Sequence, residues 1–258
     1  MGFEHILVER SGDFVTITMN RPQRRNALSL AHMRELITAF RETGDSDAVG
    51  VVLAGHGPVF CSGHDLAEVA GTDLPAIRSL LGTCTELMTL MQQVPQPVVA
   101  RVHGLATAAG CQLVAACDLA VASSEATFAT SGINNGLFCG TPSVPVGRNV
   151  GSKRALDMLF TGQSIDAATA LRDGLVSRVA PPDGLDRETM ALAQHIAAQP
   201  PQQISSGKAM FHQHMEMDLA QAYAFATEFM AGAVQREDAQ AGIDAFVNKK
   251  PKPEWSGR

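Results

Sequence analysis

The 258-residue chain has no Cys-x-x-Cys pair, no run of lysine and arginine, and no long uninterrupted apolar stretch. Each absence excludes something. The five cysteines (Cys61, Cys84, Cys111, Cys117 and Cys139) are odd in number and lie among small residues. That pattern points to buried thiols in a reducing compartment rather than a disulfide framework. A net charge of −6 without a basic track argues against a nucleic-acid surface, and Lys249, Lys250 and Lys252 form the only dense basic patch. The most apolar segment, residues 97–123, is interrupted by Arg101, His103, Gln112 and Asp118, which argues against a membrane span. No signal-peptide core or arginine-rich transit segment precedes the strand-like residues 3–9, so a cytoplasmic location is expected. There is no P-loop, zinc signature or Rossmann glycine fingerprint. His212 and His214 stand two apart on a predicted helix and do not share a face for a metal ion.

What the chain does have is the composition of a globular protein, 45% hydrophobic and 18% charged, long enough for one sizeable α/β core. Residues 6–8 and 14–19 alternate as a hairpin turning at Ser11-Gly12-Asp13. Ser29 caps a helix whose apolar positions Leu30, Met33, Leu36, Ile37 and Phe40 recur at three and four. Strands are expected at 49–54, 98–102, 118–122 and 127–129, and helices at 75–93 and 108–116. After Gly136 the pattern turns helical, at 152–160, 167–173, 185–198, 202–214 and 220–234. The division expected is an α/β core over residues 1–195 and a helical region over 196–258. Phe225, Phe229, Met230 and Val234 give the last long helix an apolar face, read first as packing on its own core and second as a subunit interface.

Two stretches carry the chemistry. Phe60-Cys-Ser-Gly-His-Asp-Leu66 reads as a strand end, a small-residue turn and a helix beginning at about Asp65. Gly104-Leu-Ala-Thr-Ala-Ala-Gly-Cys-Gln-Leu-Val-Ala-Ala-Cys-Asp118 reads as a second such turn, with Ala108-Ala109-Gly110 permitting close backbone approach. Helix N-termini leave N–H groups free to bind a developing oxyanion. Taken singly, either turn is also what ordinary helix packing requires. His103 reads as structural, Asp65 and Asp118 as cap or turn residues, and Asn134 and Asn135 as turn formers or ligands of a substrate oxygen.

Taken together with Asn20-Arg-Pro-Gln-Arg-Arg-Asn-Ala-Leu28, Ala126-Thr-Phe128, Thr161-Gly162, Gly174-Leu-Val176 and Ala245-Phe-Val-Asn-Lys249, these stretches resemble the motifs of the crotonase (enoyl-CoA hydratase/isomerase) family in family order. Ser-Gly-His-Asp-Leu, Gly-Leu-Ala-Thr-Ala-Ala-Gly-Cys-Gln-Leu and Gly-Leu-Phe-Cys are similar to its subgroup of enoyl-CoA hydratase domain-containing proteins. The resemblance runs from about residue 5 to 250. It implies an α/β fold built as a spiral of ββα units with a C-terminal helical region that forms trimers or dimers of trimers. It also implies a coenzyme A thioester as substrate or ligand, with no covalently bound cofactor and no metal. Carried over by position, the backbone N–H groups of His64 and Ala109 form the oxyanion hole. Arg25, Ala27, Leu28, Ser62, His64, Asp65 and Leu66 line the coenzyme A site, and Phe246 and Lys249 reach the nucleotide, often from a neighbouring subunit.

The same resemblance exposes a departure. The hydratases of the family use two glutamates, where this chain has Gln112 and Gly132. Glutamine can hold a water but cannot take its proton, and glycine offers no side chain. After Glu125 the next acidic residue is Asp157, so a shift of register supplies no carboxylate. Weak or absent hydratase turnover is therefore expected. One alternative is an acyl-CoA-binding protein without turnover. Another is a decarboxylase-like or hydrolytic activity using His64, since Gly-His-Asp also resembles methylmalonyl-CoA decarboxylases of the family. The tyrosine of those enzymes falls at about Cys139, which is read as a buried thiol or a nucleophile at the rim. His64 is weighed equally as a helix cap.

Overall fold

A computed structural model describes residues 2–257 of the chain. Strands β1 (Ile6–Ser11) and β2 (Phe14–Met19) form an antiparallel hairpin in which Ser11 pairs with Phe14 across Gly12-Asp13. Gly12 takes a left-handed φ of 58°, which the tight turn requires. Helix α1 (Leu30–Gly44) starts where Ser29 accepts the His32 N–H, and it buries Met33, Leu36, Ile37 and Phe40 as their spacing predicts.

Two ββα units follow. The first is β3 (Gly50–Gly55), β4 (Val59–Cys61) and α2 (Leu74–Gln93), and the second is β5 (Val98–Val102), β6 (Leu105–Thr107) and α3 (Ala109–Ala116). A third strand pair, β7 (Leu119–Ser123) and β8 (Thr127–Ala129), completes the series. In each unit the first strand enters a six-stranded sheet ordered β1-β2-β3-β5-β7-β10, where β10 is Arg178–Ala180. The second enters a four-stranded sheet ordered β4-β6-β8-β9, where β9 is Ile165–Asp166. The pairings β2-β3-β5-β7-β10 and β4-β6-β8 are parallel. The chain thus spirals between two sheets as the resemblance implies, with Phe40, Leu53, Phe60, Leu87, Val102 and Phe128 in the shared core.

The remaining elements are α4 (Gly140–Asn149), α5 (Ser152–Thr161), β9 (Ile165–Asp166), α6 (Ala167–Arg172), β10 (Arg178–Ala180), α7 (Leu185–Ala197), α8 (Pro201–His214), α9 (Leu219–Val234) and α10 (Glu237–Val247). Helix α4 holds Pro142, Pro145, Gly140 and Gly147, a composition that hides it from propensity. The helix expected to begin at Asp65 is absent: residues 66–71 form a run of turns, and α2 starts only at Leu74, where Asp73 accepts the Ala76 N–H. Gly71, at φ 71°, sits between the turns and the helix, in a conformation a helix cannot continue.

Helix α9 does not pack on its own core, contrary to the first reading of its apolar face. It buries only Ala233, while Leu219, Tyr223, Met230 and Val234 are exposed. On α8, Lys208 runs into the core. Its ammonium reaches Asp118 Oδ2 at 2.7 Å and the carbonyls of Met91 at 2.8 Å and Gln96 at 2.9 Å. Asp118 also accepts the Val98 N–H at 2.7 Å and meets His212 Nε2 at 3.1 Å, so it joins α8 to two strands rather than merely ending a turn. Burial pulls the Lys208 pKa down and the Asp118 charge opposes that pull. Removing one partner of a buried ion pair leaves the other uncompensated. Lys208→Ala is expected to cost about 3 kcal/mol of unfolding free energy in urea titration. A loss below about 1 kcal/mol would show that Asp118 finds other partners.

Candidate active site

The loop before α1 supplies the first wall of the site. A short 3-10 turn, Pro22–Arg24, is followed by two non-glycine residues in left-handed backbone, Arg25 at φ 51° and Asn26 at φ 53°. Asn26 makes that affordable. It is fully buried, accepts the Arg21 N–H at 2.9 Å, and donates through Nδ2 to the carbonyls of His56, Val59 and Phe60 at 2.9, 2.9 and 3.1 Å.

Backbone bonds then stitch this loop to the one after β4. Ser62 N–H donates to Arg25 O at 3.1 Å, Leu28 N–H to Gly63 O at 2.8 Å, and Asp65 N–H to Leu28 O at 3.0 Å. Arg21 clamps both loops, donating to Ala27 O at 2.6 Å and pairing with Asp65 at 3.2 Å. The structure therefore brings Arg25, Ala27, Leu28, Ser62, His64 and Asp65 into one cluster, with Leu66 exposed at its edge. Sequence reasoning missed Arg21 and Asn26 as the residues holding it, although both lie inside the motif.

The second wall is the β6–α3 turn. Gly110 lies so close to β4 that a Cβ on it would stand 2.1 Å from the Cys61 carbonyl oxygen. Gly63, at φ 92°, faces the same turn, where an added Cβ would meet Ala108 Cβ at 2.9 Å and Ala109 N at 3.2 Å. The two small-residue turns thus abut. The unusual backbone falls on Ala108, at φ 50° and ψ −119°, and not on Ala109, which is already helical. A non-glycine residue there carries strain of about 1–3 kcal/mol. Among the described residues, neither the His64 N–H nor the Ala109 N–H donates to a backbone or side-chain acceptor.

The His64 side chain is half-buried, and its Nε2, shielded from solvent, has no hydrogen-bond partner among the described residues. Burial lowers its pKa, so the ring is neutral at pH 7. No helix begins at this residue, which removes its reading as a cap. Gln112 is buried one turn into α3, with Cys84 Sγ 3.9 Å from its Oε1. At Gly132, a Cβ would fall 2.5 Å from Leu137 O and 2.7 Å from Cys139 Sγ. The space of a side chain is already taken. Cys139 Sγ accepts the Gly132 N–H at 3.2 Å, and burial raises its thiol pKa. Burial pushes Cys61, Cys84 and Cys111 up to about 12, so these thiols stay protonated. Phe246 and Lys249 stand apart. Phe246 is 87% exposed, and no hydrogen bond or ion pair among the described residues joins either to the cluster.

Residues 9–258 match the model of the enoyl-CoA hydratase/isomerase family. The chain belongs to that family. It is 45% identical over 244 residues to the human protein named enoyl-CoA hydratase domain-containing protein 3, mitochondrial, covering 93% of this chain and 80% of that protein. A crystal structure of the human protein superposes with a TM-score of 0.94 at 42% identity, over 98% of this chain and 100% of that chain. An enoyl-CoA hydratase from Mycobacterium smegmatis superposes at 0.95 with 46% identity, over 98% and 99%. A probable enoyl-CoA hydratase of Rhizobium meliloti is 35% identical over the full length of both chains. No helix among the described residues of this crotonase is long and apolar enough to cross a membrane.

His32 supports the first wall from beneath. Its Nδ1 lies 3.1 Å from Ala27 O, so Nδ1 carries the proton, and burial lowers its pKa from 6.5 to about 4. The folded protein keeps this ring neutral, whereas the unfolded chain binds a proton below pH 6.5. The stabilisation is therefore complete above pH 6.5 and lost as pH falls towards about 4, by up to about 3 kcal/mol. Urea titrations across that window are expected to show a shallower fall for His32→Asn than for the parent; equal slopes would refute the assignment.

The crowding at Gly132 leads to a second expectation. Gly132→Glu, which restores a carboxylate by position, is expected to destabilise the fold by about 2 kcal/mol or more, as overpacking does. A neutral effect in the same titration would mean that the Leu137–Cys139 segment yields freely.

Proposed function

We propose that this protein binds acyl-CoA thioesters across the two abutting turns and polarises the thioester carbonyl with the N–H groups of His64 and Ala109. The observation that carries this reading is the pairing itself. Two free backbone donors come from separate turns pressed together by Gly63 and Gly110. One such donor is typically worth about 10²–10³ in rate, because it meets charge that develops only in the enolate. In this reading Arg25, Ala27, Leu28, Ser62, Asp65 and Leu66 line the coenzyme A side. The exposed apolar faces of α9 and α10 support assembly into trimers or dimers of trimers, in which Phe246 and Lys249 reach a neighbour's nucleotide.

Hydration of a 2-enoyl thioester also needs a base to deprotonate water and an acid to protonate Cα. Gln112 offers neither, and Gly132 has no side chain to offer. Positioned acid–base groups contribute about 10²–10⁴. Crotonyl-CoA turnover is therefore expected to lie at least about 10²-fold below that of a two-glutamate hydratase, measured as loss of the enoyl-thioester absorbance at high enzyme concentration. Turnover equal to such an enzyme would overturn this reading.

The buried, neutral and unpartnered Nε2 of His64 favours a second reading, decarboxylation of a malonyl-type thioester. The C–C bond electrons pass to Cα as carbon dioxide leaves, so the enolate forms without a strong base and then takes a proton from water. A panel of malonyl-type thioesters tests it, with His64→Ala abolishing any activity found. Binding without turnover of any thioester would leave the protein an acyl-CoA binder.

A further inference from the structure

The segment beyond β8 is fastened to the residues just before Ala109. Ala108 N–H donates to Ala129 O at 3.0 Å, and Thr107 Oγ1 meets Ser131 Oγ at 2.7 Å. The turn that follows holds Gly132, and Cys139 closes it. Cys139 Sγ accepts the Gly132 N–H at 3.2 Å and stands 2.7 Å from where a Cβ on residue 132 would be. It also lies near enough to Cys111, the third residue of α3, for its charge to raise the pKa of that thiol. The sulfur thus occupies the path that a side chain from position 132 would take.

The other thiols are differently placed. Cys61 donates to Asn26 O at 3.2 Å, Cys84 faces Gln112 Oε1, Cys111 is fully buried, and Cys117 caps the far end of α3. The Cys139 S–H has no acceptor among the described residues, and the N–H that Sγ accepts would stay bonded to a thiolate. Cys139 also precedes the first turn of α4, where free N–H groups favour a thiolate. Burial outweighs both effects, so the thiol is the resting form. Two buried polar groups near these turns lack partners. Gln112 is 4% exposed with no bond at its Nε2, and Thr130 Oγ1 is wholly buried and unpaired among the described residues.

We infer that Cys139 captures 2-enoyl-CoA thioesters covalently. The inference rests on the acyl-CoA reading above. Sulfur bonds to the β-carbon of the acyl chain. The double-bond electrons move through the thioester to the carbonyl oxygen at the His64 and Ala109 N–H groups, and the α-carbon takes the proton that the thiol gives up. The S–H adds across the double bond, so nothing leaves and nothing is oxidised or reduced. With Gln112 and Gly132 in place of carboxylates, no group activates water in competition.

The test is intact-mass spectrometry of the full-length protein, in its native assembly, mixed with crotonyl-CoA and followed by peptide mapping. One crotonyl-CoA should add per chain, at Cys139, with one equivalent of enoyl-thioester absorbance lost. Carbonyl polarisation should make Cys139 react at least about 10²-fold faster in the folded protein than in the same chain unfolded in urea. Butanoyl-CoA, which has no double bond, should bind in calorimetric titration and form no adduct. Cys139→Ser should lose the adduct and Cys111→Ala should keep it. Binding of both thioesters without an adduct would overturn the inference and leave the acyl-CoA reading standing. So would an adduct on another residue, or one on Cys139 that forms no faster than in the unfolded chain. Failure of both thioesters to bind would remove the acyl-CoA reading and this inference with it.

Discussion

The close contact between Gly110 and the Cys61 carbonyl governs the rest of this structure. A helix can start against a neighbouring strand end only if its first turn has no side chain there, and a Cβ on Gly110 would stand 2.1 Å from that oxygen. Because the helix comes this close, all eight residues of α3 are buried. Because β4 and β6 lie side by side in the small sheet, the turns that follow them open at the same place. Gly63 and Ala108 then meet as the facing surfaces of those turns. The strain falls on Ala108, held at φ 50° and ψ −119°. The abutting turns are thus a consequence of one packing requirement.

A second constraint holds the helical region to the sheets. Lys208 and Asp118 form a buried ion pair whose remaining hydrogen-bonding capacity is met by main-chain groups of α2 and β5 and by His212. Such pairs contribute little net stability over an apolar replacement but penalise every arrangement that separates them. That suits a joint between a core and helices that bury little within one chain. At the far end, Trp255 Nε1 donates to Ala198 O, and Asp238 accepts the Ser256 and Gly257 N–H groups, which returns the tail beyond α10 to the start of α8.

Much of this was legible in one dimension, for identifiable reasons. The hairpin, α1 and β5 lie where alternation, helical spacing of apolar residues and the Ser29 cap place them, and α2 begins within a residue of the expected 75–93 stretch. The order of the small-residue motifs carried the family. Other features were not legible because their cause is non-local. Helix α4 forms against α3 despite its prolines and glycines. The strands β4 and β6 are three residues each, too short for a period to show. The 66–71 turns resemble a helix start in composition, and only the backbone of Gly71 ends that possibility. Asn26 looks like one more polar loop residue until its amide is seen spanning three carbonyls from β4 and its approach.

The residue types at positions 112 and 132 were determined by the sequence alone: a glutamine and a glycine where the family resemblance leads to an expectation of two carboxylates, and no acidic residue between Glu125 and Asp157. Identity is a covalent property and needs no fold. What only the tertiary structure decided is the surroundings of those residues. The space a side chain at Gly132 would take is filled by Leu137 and Cys139, the His64 ring is half-buried and neutral, and Gln112 is buried within α3. Burial, strain and free volume depend on segments far apart in the chain, and they come into being only when the two sheets close on α3.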